Sequence, residues 1–293
     1  MAERKVIANA DDFGRSPTIN AAVMRAHRQG ILTSASVMAT GPAAAEAIAL
    51  ASDTPNLAVG LHLTLVSGRA LLPHSEIPQL VDSQGYFKGS PLTLGLRCAF
   101  SPRLREEIRR EMAAQFERFC ASGLPLSHVD SHLHLHMHPL LFDMLLEMAR
   151  TYGASGLRIP RDDLVASLRF HGQSAATKCS WALIFGLLAV WARRRLRQSD
   201  LVVADRVYGL MQSGRMSEGY LLALLPRMTA PVTELYFHPD LAPVGQPLGP
   251  NPGDLAALLS PAVRAALARE QIRLTTYLEL ARARRLPNRE QMA

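Results

Sequence analysis

The sequence predicts an α/β fold of the TIM-barrel type, in which seven or eight (β/α) units form a barrel that is distorted or incompletely closed. Three observations predict it. Short apolar runs alternate with amphipathic stretches along the chain, which is the pattern of parallel strands joined by crossover helices. The runs number seven or eight, and that many suit a closed or nearly closed barrel better than an open sheet. Several runs also finish on polar residues able to do chemistry, as strands do at the carboxyl face of a barrel.

The first strand is predicted at KVIANA, residues 5–10, followed by a helix that begins near Ser16 and Pro17 and covers TINAAVMRAHRQG, residues 18–30. SASVMAT (34–40) and NLAVGLHL (56–63) supply the next two strands. SPRLREEIRREMAAQFERFCASG (101–123) is amphipathic and helical, LSHVDSH (126–132) is a strand, and PLLFDMLLEMARTYG (139–153) is a helix opened by Pro139. SGLRIP (155–160), DLVVAD (200–205), VTELYFH (232–238) and, more weakly, IRLTTY (272–277) complete the strand set. Residues 1–293 read as a single barrel domain with an apolar and basic insert at about 165–220, and RRLPNREQMA reads as a frayed end.

Composition narrows the function classes. With 48% hydrophobic residues the chain can bury a large core. The net charge is +7, yet the base is almost all arginine, Lys5, Lys88 and Lys178 being the lysines. No basic segment is interleaved with aromatics, so no nucleic-acid partner is expected. Cys98, Cys120 and Cys179 are odd in number and far apart, which argues against disulfides and against a cysteine zinc site. MAERKVIANADDFG has no apolar leader or small-residue cleavage site, so a cytoplasmic protein is expected.

Polar residues at the strand ends form the candidate site. NADDFG brings Asn9 and two adjacent acids, Asp11 and Asp12, which point in different directions if the strand persists. One acid can ligate a metal while the other stays free as a base; the bland alternative is a helix cap. His62 lies between leucines in VGLHLTL and, taken alone, is equally a core histidine. In DSHLHLHMHP, residues 130–139, an extended backbone would send Asp130, His132, His134, His136 and His138 to one face. One or two of these histidines can reach a single ion, and Asp130 suits a carboxylate that orients a ligating imidazole. The others would line a pocket or cap the helix at Pro139, unless the run is a generic metal-binding tract. Arg158 lies in the LRIP run and, taken alone, reads as a contact to an ionised base or as a surface arginine. Glu234 and His238 finish the VTELYFH run.

Taken together, NADDFG with Asn20, GILTSASVM, VGLHLTL, HVDSHLHLH, LRIPR and ELYFHP resemble the YdjC-like carbohydrate deacetylases, the group that includes chitooligosaccharide deacetylase. The resemblance implies a barrel-like fold and one divalent metal ion, Mg²⁺ first and Zn²⁺ or Mn²⁺ otherwise, held by Asp12, His62 and His132. It implies hydrolysis of an N-acetyl group on an amino sugar, with Asp11 as general base and His238 as the acid at the leaving amine. Asn9, Asp130, His134, His136, Arg158 and Glu234 would contact substrate or support the ligands, Arg158 by way of a sugar hydroxyl.

KCSWALIFGLLAVWARRRLRQ, residues 178–198, has an apolar run from Ser180 to Ala192 that is shorter than a membrane span. Trp181, Trp191 and the following arginines suit a segment lying at a membrane surface, and a buried core helix is the alternative. This insert and VYGLMQSGRM resemble the hopanoid-biosynthesis branch of the family, which implies an N-acetylglucosaminyl hopanoid as substrate, with soluble chitooligosaccharides as the alternative. Localisation would then be cytoplasmic and peripheral at the inner face of the membrane, with a homodimer one open assembly. A metal-dependent phosphoesterase and a non-catalytic lipid-binding protein are the readings from other classes.

Overall fold

The longest strand, β1 (Arg4–Phe13), is buried over eight of its ten positions. Covered on both faces, it is apolar through Val6–Ala8, Ala10 and Phe13 and buries Asn9, Asp11 and Asp12 at its carboxyl end. The computed structural model describes residues 3–171, 174–243 and 249–285, so most of the closing stretch predicted to fray lies outside the described residues. After β1 come α1 (Pro17–Gln29), β2 (Ser34–Val37), α2 (Ala44–Ser52) and β3 (Ala58–Leu63). A long connection leads to α3 (Pro91–Phe100), α4 (Pro102–Cys120) and β4 (His128–Ser131). A 3-10 turn (His132–Met137), α5 (Pro139–Thr151), β5 (Gly156–Leu157), α6 (Leu164–Phe170) and α7 (Ala175–Arg195) follow. The remainder is β6 (Arg206–Tyr208), α8 (Glu218–Leu224), β7 (Val232–Phe237), α9 (Pro252–Leu259), α10 (Pro261–Arg269), β8 (Ile272–Leu274) and α11 (Tyr277–Arg285).

Seven parallel strands curl in the order β5-β4-β3-β2-β1-β7-β6, and among the described residues the seam between β5 and β6 is joined by isolated bridges, Gly156 to Val202 and Arg161 to Val207, with no continuous ladder. The barrel is therefore incompletely closed, as expected. Two strands depart from expectation. DLVVAD is not a strand over its length: Val202 bridges β5 while the Asp205 amide donates to the Val232 carbonyl, 2.8 Å away. A segment that crosses from one strand edge to another in three residues cannot keep a ladder with either. IRLTTY is a strand only over Ile272–Leu274, and it pairs with the first residues of β1, Arg4–Val6, instead of forming an eighth stave.

Its last residue, Tyr277, turns into the barrel floor. The Tyr277 ring stacks on His128 at 4.9 Å between centroids. Glycine is required on the strand facing it, because a Cβ at Gly156 would overlap that ring. Outside the barrel, α4 places Glu107, Glu111 and Gln115 on one face at i, i+4 spacing. Glu111 accepts from the Leu71 and Leu72 amides at 3.0 Å, Glu107 from Gln79 and Leu80 at 2.7 and 3.1 Å, and Gln115 bonds both backbone groups of Thr64. This ladder fastens the connection after β3, which carries Ser67 to the rim of the main cleft.

His128 gives the fold an acid sensitivity. It is fully buried, with its ring nitrogens beside the Ser36 and Ser127 hydroxyls at 2.9 and 3.2 Å. Burial holds its pKa down to about 4, against a smaller opposing effect of Asp130. The unfolded chain therefore binds a proton that the folded chain refuses between pH 6.5 and 4, and stability falls as the pH drops through that window. The expected loss from this one group is on the order of 2 kcal/mol. Urea unfolding at pH 7, 5.5 and 4.5 should show the decline, and His128→Gln should make it shallower, the remainder coming from the buried His134 and His136, whose pKa values burial also lowers.

Candidate active site

Ser16, not an aspartate, caps α1, accepting from the Ile19 amide. Asp11 and Asp12 at the end of β1 are thus free for other work. Asp12 sits at φ 63°, a left-handed conformation that an aspartate tolerates better than most residues. The turn sends the two neighbouring carboxylates to different partners.

Asp11 faces Arg158, whose Nη1 and Nη2 donate to its two oxygens at 2.6 and 2.7 Å. The same guanidinium reaches Asp130 Oδ2 at 2.7 Å and Glu234 Oε1 at 2.7 Å, and it lies over the Tyr236 ring at 4.6 Å. Arg158 is completely buried, so the surface reading gives way to a cation that binds three carboxylates together, Asp11 among them. Hydroxyl and amide groups complete the arrangement. Asn9 Nδ2 donates to Asp11 and to Ser36 Oγ at 2.9 and 2.8 Å, Ser36 donates to Asp130 at 2.9 Å, and Tyr277 OH donates to Glu234 at 2.7 Å.

Asp12 faces the histidines. His62 Nε2 lies 3.5 Å and His132 Nδ1 3.3 Å from Asp12 Oδ1, which is buried and makes no hydrogen bond. The three donor atoms fall within 4.8 Å of one another. An orphaned carboxylate oxygen between two imidazoles fits a divalent cation, and two nitrogens with one oxygen leave coordination positions open. Asp130 Oδ1 lies 2.7 Å from His62 Nδ1, so the ring presents Nε2 to the site, the arrangement that orients a ligating imidazole. Burial opposes a charge on His62, but Asp130, Asp11 and Asp12 outweigh it and raise the pKa to about 9. Burial would likewise raise the Asp12 carboxyl, yet His132 and His62 hold it well below the usual carboxylate range.

The histidine run is not extended. β4 ends at Ser131, and Leu133 and His134 take positive φ values of 54° and 52° inside the 3-10 turn. The single face of imidazoles expected from alternation is therefore absent: His132 turns to Asp12, His134 Nε2 lies 2.9 Å from Tyr236 OH, and His136 bridges Ser131 Oγ and the Arg158 carbonyl. His138 stands at the start of α5 but makes no side-chain cap. His238 Nε2 lies 4.0 Å from Asp11 Oδ2, while its backbone amide donates to Asp254 at 2.9 Å.

These groups meet in a cleft of about 640 Å³. Asp11, Asp12, His62, His132, His134 and His238 line it, whereas Asn9, Asp130, His136, Arg158 and Glu234 lie beneath its surface. Leu133, Trp181, Phe185, Leu210 and the Tyr236 ring give the cleft an apolar lining beside these groups. Sequence reasoning missed the roles of Ser36, Tyr236 and Tyr277. Ser36 was open to detection as a hydroxyl in the middle of an apolar strand; the two tyrosines looked like ordinary core residues.

The profile of the YdjC-like protein family matches residues 5–269. The chain belongs to this family. Among relatives, a carbohydrate deacetylase of Brevibacillus brevis is 40% identical over 148 residues, half of this chain and 56% of the relative. A carbohydrate deacetylase of Geobacillus stearothermophilus is 42% identical over 151 residues, 51% of this chain and 57% of the relative. The chain thus spans a little over half the length of these curated relatives. A crystal structure from Enterococcus faecalis V583, of a candidate cellobiose-phosphate cleavage protein, superposes with a TM-score of 0.71 at 26% identity, covering 95% of this chain and 99% of that one. The incompletely closed barrel is therefore a fold this YdjC-like chain shares along nearly its whole length with a solved structure.

Arg158 is expected to be the most sensitive buried position of this YdjC-like site. Arg158→Met should leave Asp11, Asp130 and Glu234 facing each other and cost about 3–5 kcal/mol, the usual penalty for stranding buried charge. Arg158→Lys keeps the charge but cannot serve three acceptors in a plane, so thermal unfolding should rank parent above Lys and Lys above Met.

Proposed function

We propose that the chain is a metal-dependent carbohydrate N-deacetylase, with residues 1–293 working as one barrel and the insert at about 165–220 forming part of its cleft. The observation that carries this reading is the separation of two adjacent carboxylates, Asp12 toward two imidazoles and Asp11 toward a buried guanidinium, on the floor of one cleft. Family membership and relatives named carbohydrate deacetylase support it.

Asp12, His62 and His132 would hold the ion, which when bound supplies a Lewis acid for the acetamide carbonyl and acidifies a water. Asp11 takes the proton from the attacking water, and Arg158 with Asn9 fixes the orientation of its carboxylate. His238, across from Asp11, gives a proton to the departing amine, so that the C–N bond breaks to acetate and a free amino sugar. His134 lines the cleft and is held by Tyr236 for contact with substrate, while Asp130, His136 and Glu234 support the groups above them. Mg²⁺ is the ion implied by the family, and the two imidazoles suit Zn²⁺ or Mn²⁺ as well.

A two-metal phosphoesterase is disfavoured by the only other metal-capable cluster among the described residues, Asp11, His62 and Asp130. Both of its carboxylates already bind Arg158, and a buried guanidinium repels a second cation. The apolar wall favours a substrate with a lipid part, which agrees with an N-acetylglucosaminyl hopanoid more than with a soluble chitooligosaccharide. In that setting the protein works in the cytoplasm, at the inner face of the membrane, through residues 178–198.

His132→Ala should lose bound metal and activity together, read by elemental analysis and by release of acetate; full metal occupancy would remove His132 from the ligand set. Asp11→Asn should keep the metal and lower kcat by roughly 10²-fold or more. Purified protein given acetylated glucosaminyl lipid and chitobiose in parallel, loaded with Mg²⁺, Mn²⁺ or Zn²⁺, should release amine faster from the lipid.

A further inference from the structure

Two helices flank the cleft mouth and are bare on their outer faces. On α3, Leu92, Leu96 and Phe100 recur at i, i+4 and i+8, so they share one stripe, and they are 72%, 56% and 86% exposed. Leu94 and Cys98 hold the opposite, buried face. On α7, Leu183, Ile184, Leu187 and Val190 are exposed, while Ala189 and Ala192 are buried and Phe185, Leu188 and Trp191 pack against the core. This helix is thus apolar on the side that meets the barrel and apolar again on the side that does not. It is longer than the apolar run in the sequence suggested: Ala175–Gln198 is long and apolar enough to cross a membrane by length and composition. The contacts of Ala189, Ala192 and Trp191 with the barrel, including Trp191 against Phe142 of α5, place it along the protein surface.

The two helices belong to one rim. Pro91, which begins α3, and Trp181 and Phe185 of α7 line the same cleft, with Leu133 of the 3-10 turn, 54% exposed, also on its wall. Their charge is matched as well. Residues 83–105 contain no acid and carry Lys88, Arg97, Arg103 and Arg105. Residues 164–199 contain no acid and carry Arg169, Lys178, Arg193, Arg194, Arg195 and Arg197. In a chain with 25 acidic residues, the two stretches that expose apolar stripes are both free of carboxylates. Arg195 pairs with Asp143 of α5 and Arg103 with Glu107 of α4, yet basic groups still outnumber acids beside the bare apolar side chains; that combination suits the interface of an anionic bilayer, where apolar side chains enter the acyl boundary and arginines meet phosphate.

We propose that α3 and α7 together form a two-footed docking surface for an anionic lipid bilayer, with the cleft mouth between them opening onto the lipid. This deepens the lipid-linked reading of the substrate and rests on it for its purpose, but vesicle binding is measurable without turnover. The second foot, α3, ends 75 residues before α7 begins and reaches the cleft through Pro91, so a substrate drawn from the membrane enters past two apolar helices.

The test uses the full chain and vesicles of phosphatidylcholine with or without about one-third phosphatidylglycerol. Two variants alter exposed positions that do not line the cleft: Leu96→Glu with Phe100→Glu on α3, and Leu183→Glu with Leu187→Glu on α7. The parent should sediment with the anionic vesicles, bind neutral ones weakly, and release as salt rises. Each pair should weaken binding at least tenfold, while circular dichroism and deacetylation of a soluble amino sugar stay within twofold of the parent. Unchanged binding by the α3 pair would remove that foot and overturn the proposal. So would failure of the parent to bind vesicles, including the case in which light scattering finds a dimer that both pairs dissolve, since the faces would then cover a second copy of the chain. Vesicle binding without deacetylation of any sugar would leave the docking surface standing and count against the enzymatic reading alone.

Discussion

Everything at the base of the cleft depends on one buried guanidinium. Arg158, just beyond β5, binds Asp11 from β1, Asp130 from β4 and Glu234 from β7, and so ties together strands from both sides of the barrel seam. A charge in this position is tolerable only because its partners are charged and correctly placed; a lysine offers a point charge where a planar fork is needed. The barrel's register and the geometry of the site are for this reason a single constraint. A strand shift that displaced any of the three carboxylates would leave Arg158 undercompensated in the core.

Two arms run upward from that fork. One passes directly to Asp11, fixing the carboxylate that faces the cleft. The other passes through Asp130 to His62, fixing which nitrogen that ring presents to Asp12. Asp12 itself is kept away from Arg158 by its left-handed backbone, and its second oxygen is met by Arg15 at 2.8 Å. Strained backbone recurs where the site needs it, at Asp12 and at Leu133 and His134. Such conformations cost about 1–3 kcal/mol each and persist where the surrounding structure over-determines them. Here they separate neighbouring side chains that a regular strand would place by simple alternation.

That is also where the sequence stopped being legible. The alternation of apolar runs and helices disclosed the barrel, and among the polar residues ending those runs Asp11, Asp12, His62, His132 and His238 meet in one cleft. Period-two reasoning failed for DSHLHLHMHP because the backbone leaves β4 after Ser131 and turns. Arg158 was recognised as a site residue, but its burial is set by carboxylates 147, 28 and 76 positions away in sequence, and no local pattern carries that information. DLVVAD resembled a strand because it is apolar and buried; its failure to pair is a consequence of the open seam, which is a property of the closed-up sheet and not of the segment.

The cleft is divided by origin as well as by polarity. Its ionisable half comes from strand ends and the first turn after β4, with Asp11 and His62 tied to the fork, whereas Trp181, Phe185 and Leu210 of its apolar half come from α7 and the segment after β6. Trp181 and Phe185 face the site from a helix that is held to the barrel by Ala189, Ala192, Leu188 and Trp191 and is bare on its other side. Binding surfaces mounted on a rigid barrel can vary without moving the groups beneath them. The chemistry is therefore set where burial and charge pairing leave no freedom, and the choice of substrate is set where packing is thin. An apolar helix that contributes both to the wall of the candidate site and to the exposed surface places the two within one element, so a change in either bears on the other.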